Sequence, residues 1–346
     1  MIIKKQPEIL ENLRGTHNIE LDHIVDRAMD MMPNWKDHRV LDTASGFPIK
    51  LTPDLQVEFN DNYGNGYRQD ISEYAFTQMC SKVGVPASYI MKCFDREKPD
   101  LAIQNFYAWA NDVEMGKNLL VRSYDGICRA VLTDRYNVFD SSLVLEAIRD
   151  SVSSPQYSGR YEANQAYLSE DRLHIRFVDF NGPLQVGGDR LFPGFTVSSS
   201  DIGSGSLCIK YFLYRFACKN GIVAARGGGI LFRQTHLGEF MDTGKALFMN
   251  ALDKIEDLNT VATQKIQSSM NRKLFGKELE IYLEKARKEL HLGKTGEENV
   301  RKLMDSTYGY TMWGLINSIT EDAQRYNMLD NRMASESYGW NLLMAA

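Results

Sequence analysis

The pattern of apolar and polar residues changes period along the chain. Up to about residue 60 it is mixed. IVDRAMDMM (24–32) repeats at helical spacing until Pro33 ends it, and RVLDT and LQVEF alternate as short strands about the turn SGFP. DNYGNGYRQD (61–70) is turn-rich and predicts a loop. A helical layer follows. In ISEYAFTQMCSKVGV, Ser72 is placed to cap a helix whose Tyr74, Ala75, Met79 and Val83 recur on one face. Pro86 and Pro99 each stand in the favoured first turn of a further helix, PASYIMKCF and PDLAIQNFYAWANDVEM.

The middle of the chain alternates with period two. NLLVRSY and ICRAVLT flank Asp125-Gly126, a tight-hairpin dipeptide, and DSSLVLEAIRDSV (140–152) returns to helical spacing. YEANQAYLS and RLHIRFVDF predict a second hairpin, and FTVSSSD, SLCIKYFLYRFAC, IVAA and GILFRQ continue the sheet between Gly-rich turns. From Gly238 onward, segments 239–270, 276–291, 296–305 and 310–326 are rich in Glu, Lys, Leu, Ala and Met at helical spacing. The expected fold is α+β: an antiparallel central sheet, a helical layer before it and a helical C-terminal subdomain. The expected division is an N-terminal mixed segment (1–70), an α+β core (71–238) and a helical region (239–346).

Composition narrows the class. With 43% hydrophobic and 25% charged residues, the chain has the make-up of a protein that buries a real core, not of a disordered or disulfide-scaffold chain. The five cysteines are widely spaced, without a C-x-x-C pair, and read as small buried hydrophobes in a reducing compartment. No run approaches the roughly 18 apolar residues of a membrane span, and MIIKKQPEILENLRG lacks the apolar stretch of a signal peptide. The expected location is the cytoplasm.

Catalytic signals are sparse. The six histidines show no metal-binding spacing, and Cys208, Cys218 and His236 are not spaced as a zinc site. There is no nucleophile elbow and no phosphate-binding P-loop, so no catalytic residue, metal or cofactor is assigned. Asp134 and Asp140, six apart in LTDRYNVFD, read as a strand end and a helix N-cap, with metal ligation as the sharper alternative.

Charge is more informative. The formal net charge is −5, so a nucleic-acid site must be a local patch. Between Gly203 and Gly238 stand Lys210, Arg215, Lys219, Arg226 and Arg233, with no Asp or Glu, and His236 adds a titratable donor. Strand alternation puts Cys208, Lys210, Phe212, Tyr214 and Phe216 on one face and Ile209, Tyr211, Leu213, Arg215 and Ala217 on the other. Each face is then mostly apolar with one cation. ARGGGILFRQTH (225–236) reads either as a hairpin turn with two solvated arginines or as a phosphate-contacting hairpin. Arg122, Arg129 and Arg135 form a second cationic set. They either pair with Asp125 or Asp134 or make a second phosphate track.

At these residues the sequence resembles the phage/plasmid-like protein family, domain of unknown function 932. QMCSKVGVPASYI (78–90), RAVLTDRYNVFD (129–140), YRFACKNGIV (214–223) with THLG (235–238), and YTMWGLINSITE (310–321) carry the resemblance in the family's order. The family often has Ser where Thr133 stands and a small residue where Lys219 stands. The resemblance implies a protein of phages, plasmids and mobile elements, with no defining enzymatic activity. It also implies a β-β-β-α core similar to that of single-strand annealing recombinases, which form rings holding DNA in a basic groove. Arg129, Asp134, Arg135, Tyr136, Asn220 and His236 are the motif positions it marks.

Three functions compete. The first is a single-stranded DNA binding or annealing protein acting in recombination or replication, assembled as a homo-oligomer. The second is a non-enzymatic host-takeover or protein-binding factor using its C-terminal helices. The third is an enzyme on nucleotides or nucleic acid with Asp134 at a metal. The first predicts that single-stranded DNA contacts Arg122, Arg129, Arg135, Lys210, Arg215, Lys219, Arg226, Arg233 and His236.

Overall fold

Asp125 and Gly126 both have positive φ, 49° and 74°, in the computed structural model of the chain. Two consecutive left-handed residues are what a type I′ hairpin turn requires. The structure describes residues 21–42, 46–113, 116–169, 171–215, 220–223, 229–236, 244–325 and 329–346. The hairpin joins β5 (Leu119–Tyr124) to β6 (Ile127–Thr133). With β1 (Trp35–Val40), β2 (Lys50–Leu51), β3 (Gln56–Asn60) and β4 (Gly66–Ile71) it forms a six-stranded sheet in the order β1-β5-β6-β4-β3-β2. Every pair is antiparallel except β4–β6.

Part of the expected loop 61–70 is thus strand β4. Its outward positions are polar and bond across to β3. Gln56 Nε2 donates to Asp70 at 2.9 Å, and Arg68 Nε donates to Gln56 Oε1 at 2.6 Å. Such cross-strand pairs hold a strand that hydrophobic alternation does not announce.

Helices α2 (Glu73–Val83), α3 (Ala87–Asp95) and α4 (Pro99–Ala110) cover one face of this sheet. Ser72 caps α2 by accepting the Ala75 N–H at 3.2 Å, and Gly84, at φ 85°, ends it in the left-handed conformation. Phe76, Met79, Ile90 and Phe106 pack with Val57, Val121 and Val131 in one buried cluster.

The second sheet has seven strands: β7 (Glu162–Leu168), β8 (Leu173–Val178), β9 (Leu184–Val186), β10 (Asp189–Ser199), β11 (Leu207–Arg215), β12 (Asn220–Val223) and β13 (Ile230–Gln234). Its main path is β12-β11-β10-β8-β7. β13 pairs the other half of β11, β9 pairs the start of β10, and all pairings are antiparallel. The fold is α+β as expected, with the strands divided between two sheets.

One face of the second sheet carries the largest core. Ile175, Phe177, Phe195, Val197, Ile209, Tyr211 and Leu213 pack with α1 (Leu21–Met31), α5 (Ser141–Val152) and the C-terminal helices. Those are α6 (Gly244–Asp253), α7 (Ile255–Asn271), α8 (Gly276–Glu289), α9 (Lys294–Leu303), α10 (Met312–Asp322) and α11 (Leu329–Ala345). The helices after residue 244 therefore share a core with the second sheet, and residues 35–71 share a sheet with 119–133.

Candidate functional site

The two sheets meet at Arg122. It lies mid-β5 and is fully buried. Its Nε donates to Asp37 on β1 at 2.8 Å, and its Nη1 donates to the Asp201 carbonyl at 2.5 Å. Its Nη2 stands 2.8 Å from Asp140 Oδ1, at the start of α5. The guanidinium lies over the Trp35 ring, 4.6 Å from its centroid. One side chain of the first sheet thus holds β1, the N-terminus of α5 and the turn after β10. Ile202 from that turn packs with Leu120, Ala130, Leu132 and Trp35 of the first sheet. Gln78 on α2 donates to the Ile202 carbonyl at 3.5 Å and accepts the Val131 N–H at 2.8 Å.

Asp140 occupies the N-cap position of α5, but its side chain makes no cap hydrogen bond. This corrects the sequence expectation of a capping Asp140. The helix end is served instead by Asp201, whose Oδ1 accepts from Ser141 N at 3.0 Å and from Ser141 Oγ at 2.9 Å. The carboxylate of Asp140 is turned to the guanidinium because a buried cation needs a counter-charge. Burial, and after it the charge of Asp140, push the Asp201 carboxyl up to about 7.

The motif residues gather beside this cluster. His236 stacks on Tyr136 (centroids 4.6 Å apart, planes 8° apart) and on Phe139 (3.9 Å, 6°). Two rings cannot both stack this closely on one face of an imidazole, so His236 lies between them. The Asn137 N–H donates to the His236 carbonyl at 2.8 Å, and the Tyr136 hydroxyl donates to the Ser200 carbonyl at 3.1 Å. Burial lowers the imidazole to about 4, and Arg122 adds to the effect. His236 is neutral at pH 7 and acts as a flat aromatic plate.

A second arrangement lies on the face of the second sheet opposite the large core. Register sets His174, Ser198, Cys208 and Arg233 in one cross-strand row, and Arg176, Thr196 and Lys210 in the next. Tyr167 on β7 stands beside His174 in the first row. Farther along the same face Val178, Phe192, Phe212 and Tyr214 form a buried apolar cluster. Arg233 is exposed and Lys210 half-buried. The Nε of Arg233 donates to Ser206 Oγ at 3.0 Å. Arg176 is buried, lies 5.1 Å from the Phe212 ring centroid, and binds Glu336 of α11 through both nitrogens at 3.0 and 2.6 Å. Burial, helped by Arg176, Lys210 and Arg172, holds His174 well below the usual imidazole range.

The sequence-predicted residues fall into separate groups. Lys210 and Arg233 lie together on this face, and the exposed Arg135 projects from the loop bonded to His236 through Asn137. Arg122 offers no face to a phosphate, because its fork is taken by Asp37, Asp140 and the Asp201 carbonyl and not by Asp125 or Asp134. Arg129 is buried at a bulge, where β5 residues 122 and 123 oppose β6 residues 130 and 128. Arg215 pairs with Asp189 at 2.6 Å and lies over the Tyr308 ring. His236 is buried, Tyr136 lies on it and Asp134 is half-buried. Asn220 opens β12 opposite Arg215. Lys219, Arg226 and Cys218 lie outside the described residues. His174 and Arg176 belong to this face without having been expected there. Their signal was present in LHIRFV, where two basic residues stand two apart on a strand.

These arrangements belong to an α+β protein with two sheets locked at one buried arginine. The sequence model of the family described as domain of unknown function 932 matches residues 130–340, more than half of the chain, and the chain belongs to that family. No curated protein and no solved structure matches the chain significantly.

Proposed function

We propose that the chain is a phage- or plasmid-encoded single-stranded DNA binding or annealing protein acting in recombination or replication, working as a homo-oligomer in the host cytoplasm. The reading rests on one observation. Strand register collects the cations of an acid-free segment, Lys210 and Arg233, on one sheet face with the half-buried Tyr167. Lys210 makes no ion pair among the described residues, and Arg233 bonds only a neutral hydroxyl there. Cations so placed neutralise phosphates and release counterions, and a ring farther across the same face, on β7, is a platform for an unstacked base.

The test is fluorescence anisotropy with a labelled single-stranded oligonucleotide over a salt series, with a duplex control. Salt-dependent binding that prefers the single strand is expected. In the Lys210→Ala, Arg233→Ala double variant the slope of log K against log salt should fall by about 1.4, since each single-strand phosphate contact contributes ~0.7. Absence of binding at low salt would overturn this reading. It would favour a protein-binding factor, for which Leu101 and Trp109 on α4, 41% and 58% exposed, offer apolar side chains open to solvent.

A further inference from the structure

The buried cluster between the sheets has more acid than base. Arg122 on β5 is the cation facing Asp201. Around that guanidinium stand Asp37 from β1, Asp140 from the start of α5 and Asp201 from the turn after β10. Among the described residues, the remaining titratable neighbours are Tyr136, whose phenol burial keeps neutral, and His236, also neutral at pH 7. The Asp37 side chain is 36% exposed, so water screens its charge. Asp140 and Asp201 are both buried. Ionising both would leave a charge in the joint without a partner, which a buried site strongly disfavours.

Geometry decides which acid keeps the proton. Asp140 turns a carboxylate oxygen to the guanidinium. Asp201 turns its backbone carbonyl there, and its Oδ1 receives only the neutral N–H and O–H of Ser141. A carboxyl group served by neutral donors on one oxygen holds a proton on the other at little cost. A narrow cleft is lined by Trp35, Asp140, Ser141, Ser142 and Asp201.

We propose that this joint is a proton-operated latch: Asp201 holds a proton while the two sheets are docked, and its ionisation loosens the contact between them. The elevated proton affinity of Asp201 agrees with this, with burial as its main cause. Once ionised, Asp201 repels Asp140. The turn that gives carbonyls 200, 201 and 202 to Tyr136, Arg122 and Gln78 then loses its hold on the first sheet. Alkaline conditions therefore free the two sheets to change their relative position.

The test is hydrogen exchange of the full chain at about pH 6 and about pH 8.5, corrected for intrinsic rates, read in peptides covering 137–145 and 198–206. The wild type should lose roughly tenfold protection at the higher pH, a change of ~1.4 kcal/mol. Asp201→Asn, which keeps an acceptor for Ser141, should lose none. Equal pH responses in the two proteins, or none in the wild type, would overturn the latch. Carboxyl carbon NMR of the wild type with labelled aspartate decides the matter even if the variant does not fold. A midpoint for Asp201 near neutrality is expected, and one at the ordinary value of about 4 would refute the proposal.

Discussion

Asp201 accepts the backbone N–H of Ser141 at 3.0 Å, sixty residues away in sequence. It thereby serves the first turn of α5 while the N-cap residue Asp140 binds Arg122 instead. The two acids have exchanged the roles that their positions in the sequence suggest. The exchange ties the helix end to both sheets at once, because the Asp201 carbonyl also receives Arg122.

Replacing Arg122 should be severe. Arg122→Met leaves Asp140 and Asp201 buried with no cation, and a loss of about 3–5 kcal/mol is expected from urea unfolding. Arg122→Lys should recover little of it. An ammonium cannot bond Asp37 and the Asp201 carbonyl with a planar fork while lying flat on Trp35.

His236 sets an acid-side slope. The imidazole takes a proton near 6.5 when unfolded and at about 4 when folded. Between those values the unfolded chain binds more protons, so this group's contribution to stability rises with pH and levels off above 6.5. Asp201 works in the opposite sense. Its proton is held more tightly in the folded state, so its contribution is full below about 4 and is lost as pH rises through about 7. His236→Phe keeps a flat ring between Tyr136 and Phe139 and removes only the first slope. Urea midpoints at a series of pH values should show the variant gaining on the wild type by about 2–3 kcal/mol from neutral pH down to about 4.5. A constant difference would mean that His236 titrates normally.

The Arg176–Glu336 pair joins β8 to α11 in a fully buried setting. Glu336→Gln should cost about 3–5 kcal/mol by leaving the guanidinium uncompensated. The double change Arg176→Met, Glu336→Leu should cost much less, since both charges leave together. A double-mutant cycle by urea unfolding reads the coupling directly.

Gly314 explains part of one family motif. A Cβ there would lie 2.1 Å from the Gly309 carbonyl oxygen, which is backbone and cannot swing aside. Thr311 caps this helix by accepting the Gly314 N–H at 3.0 Å, so the approach is tight by construction of the cap. Gly314→Ala should destabilise by about 1–3 kcal/mol or more, measured by thermal unfolding. An unchanged melting temperature would show that the helix start can shift.

Local chemistry was legible where neighbours in sequence decide it. Asp125-Gly126 dictated a I′ hairpin, Ser72 a cap, Pro99 a helix start, and the alternation of 207–215 the two faces of β11. The joint was illegible because its members, Asp37, Arg122, Asp140 and Asp201, come from separate elements and each has a blander local role. The cationic face was half legible. β11 alone shows one cation per face, and the stripe exists only after β13 is paired with it on one side and β10 and then β8 on the other. Helix α11 escaped notice because its apolar residues do not form one stripe. It packs against β12, with Trp340 against Tyr211 on one face of the sheet and Glu336 against Arg176 on the other.

The match to the family begins at residue 130, inside β6, and so divides the hairpin that carries Arg122. The matched segment contributes Asp140 and Asp201. The stretch before it contributes Arg122, Asp37 and Trp35. A chain cut at that boundary would inherit two buried acids without their counter-ion, and a sheet lacking the hairpin's first strand. The part of the protein that kinship recognises is therefore smaller than the part that must fold together.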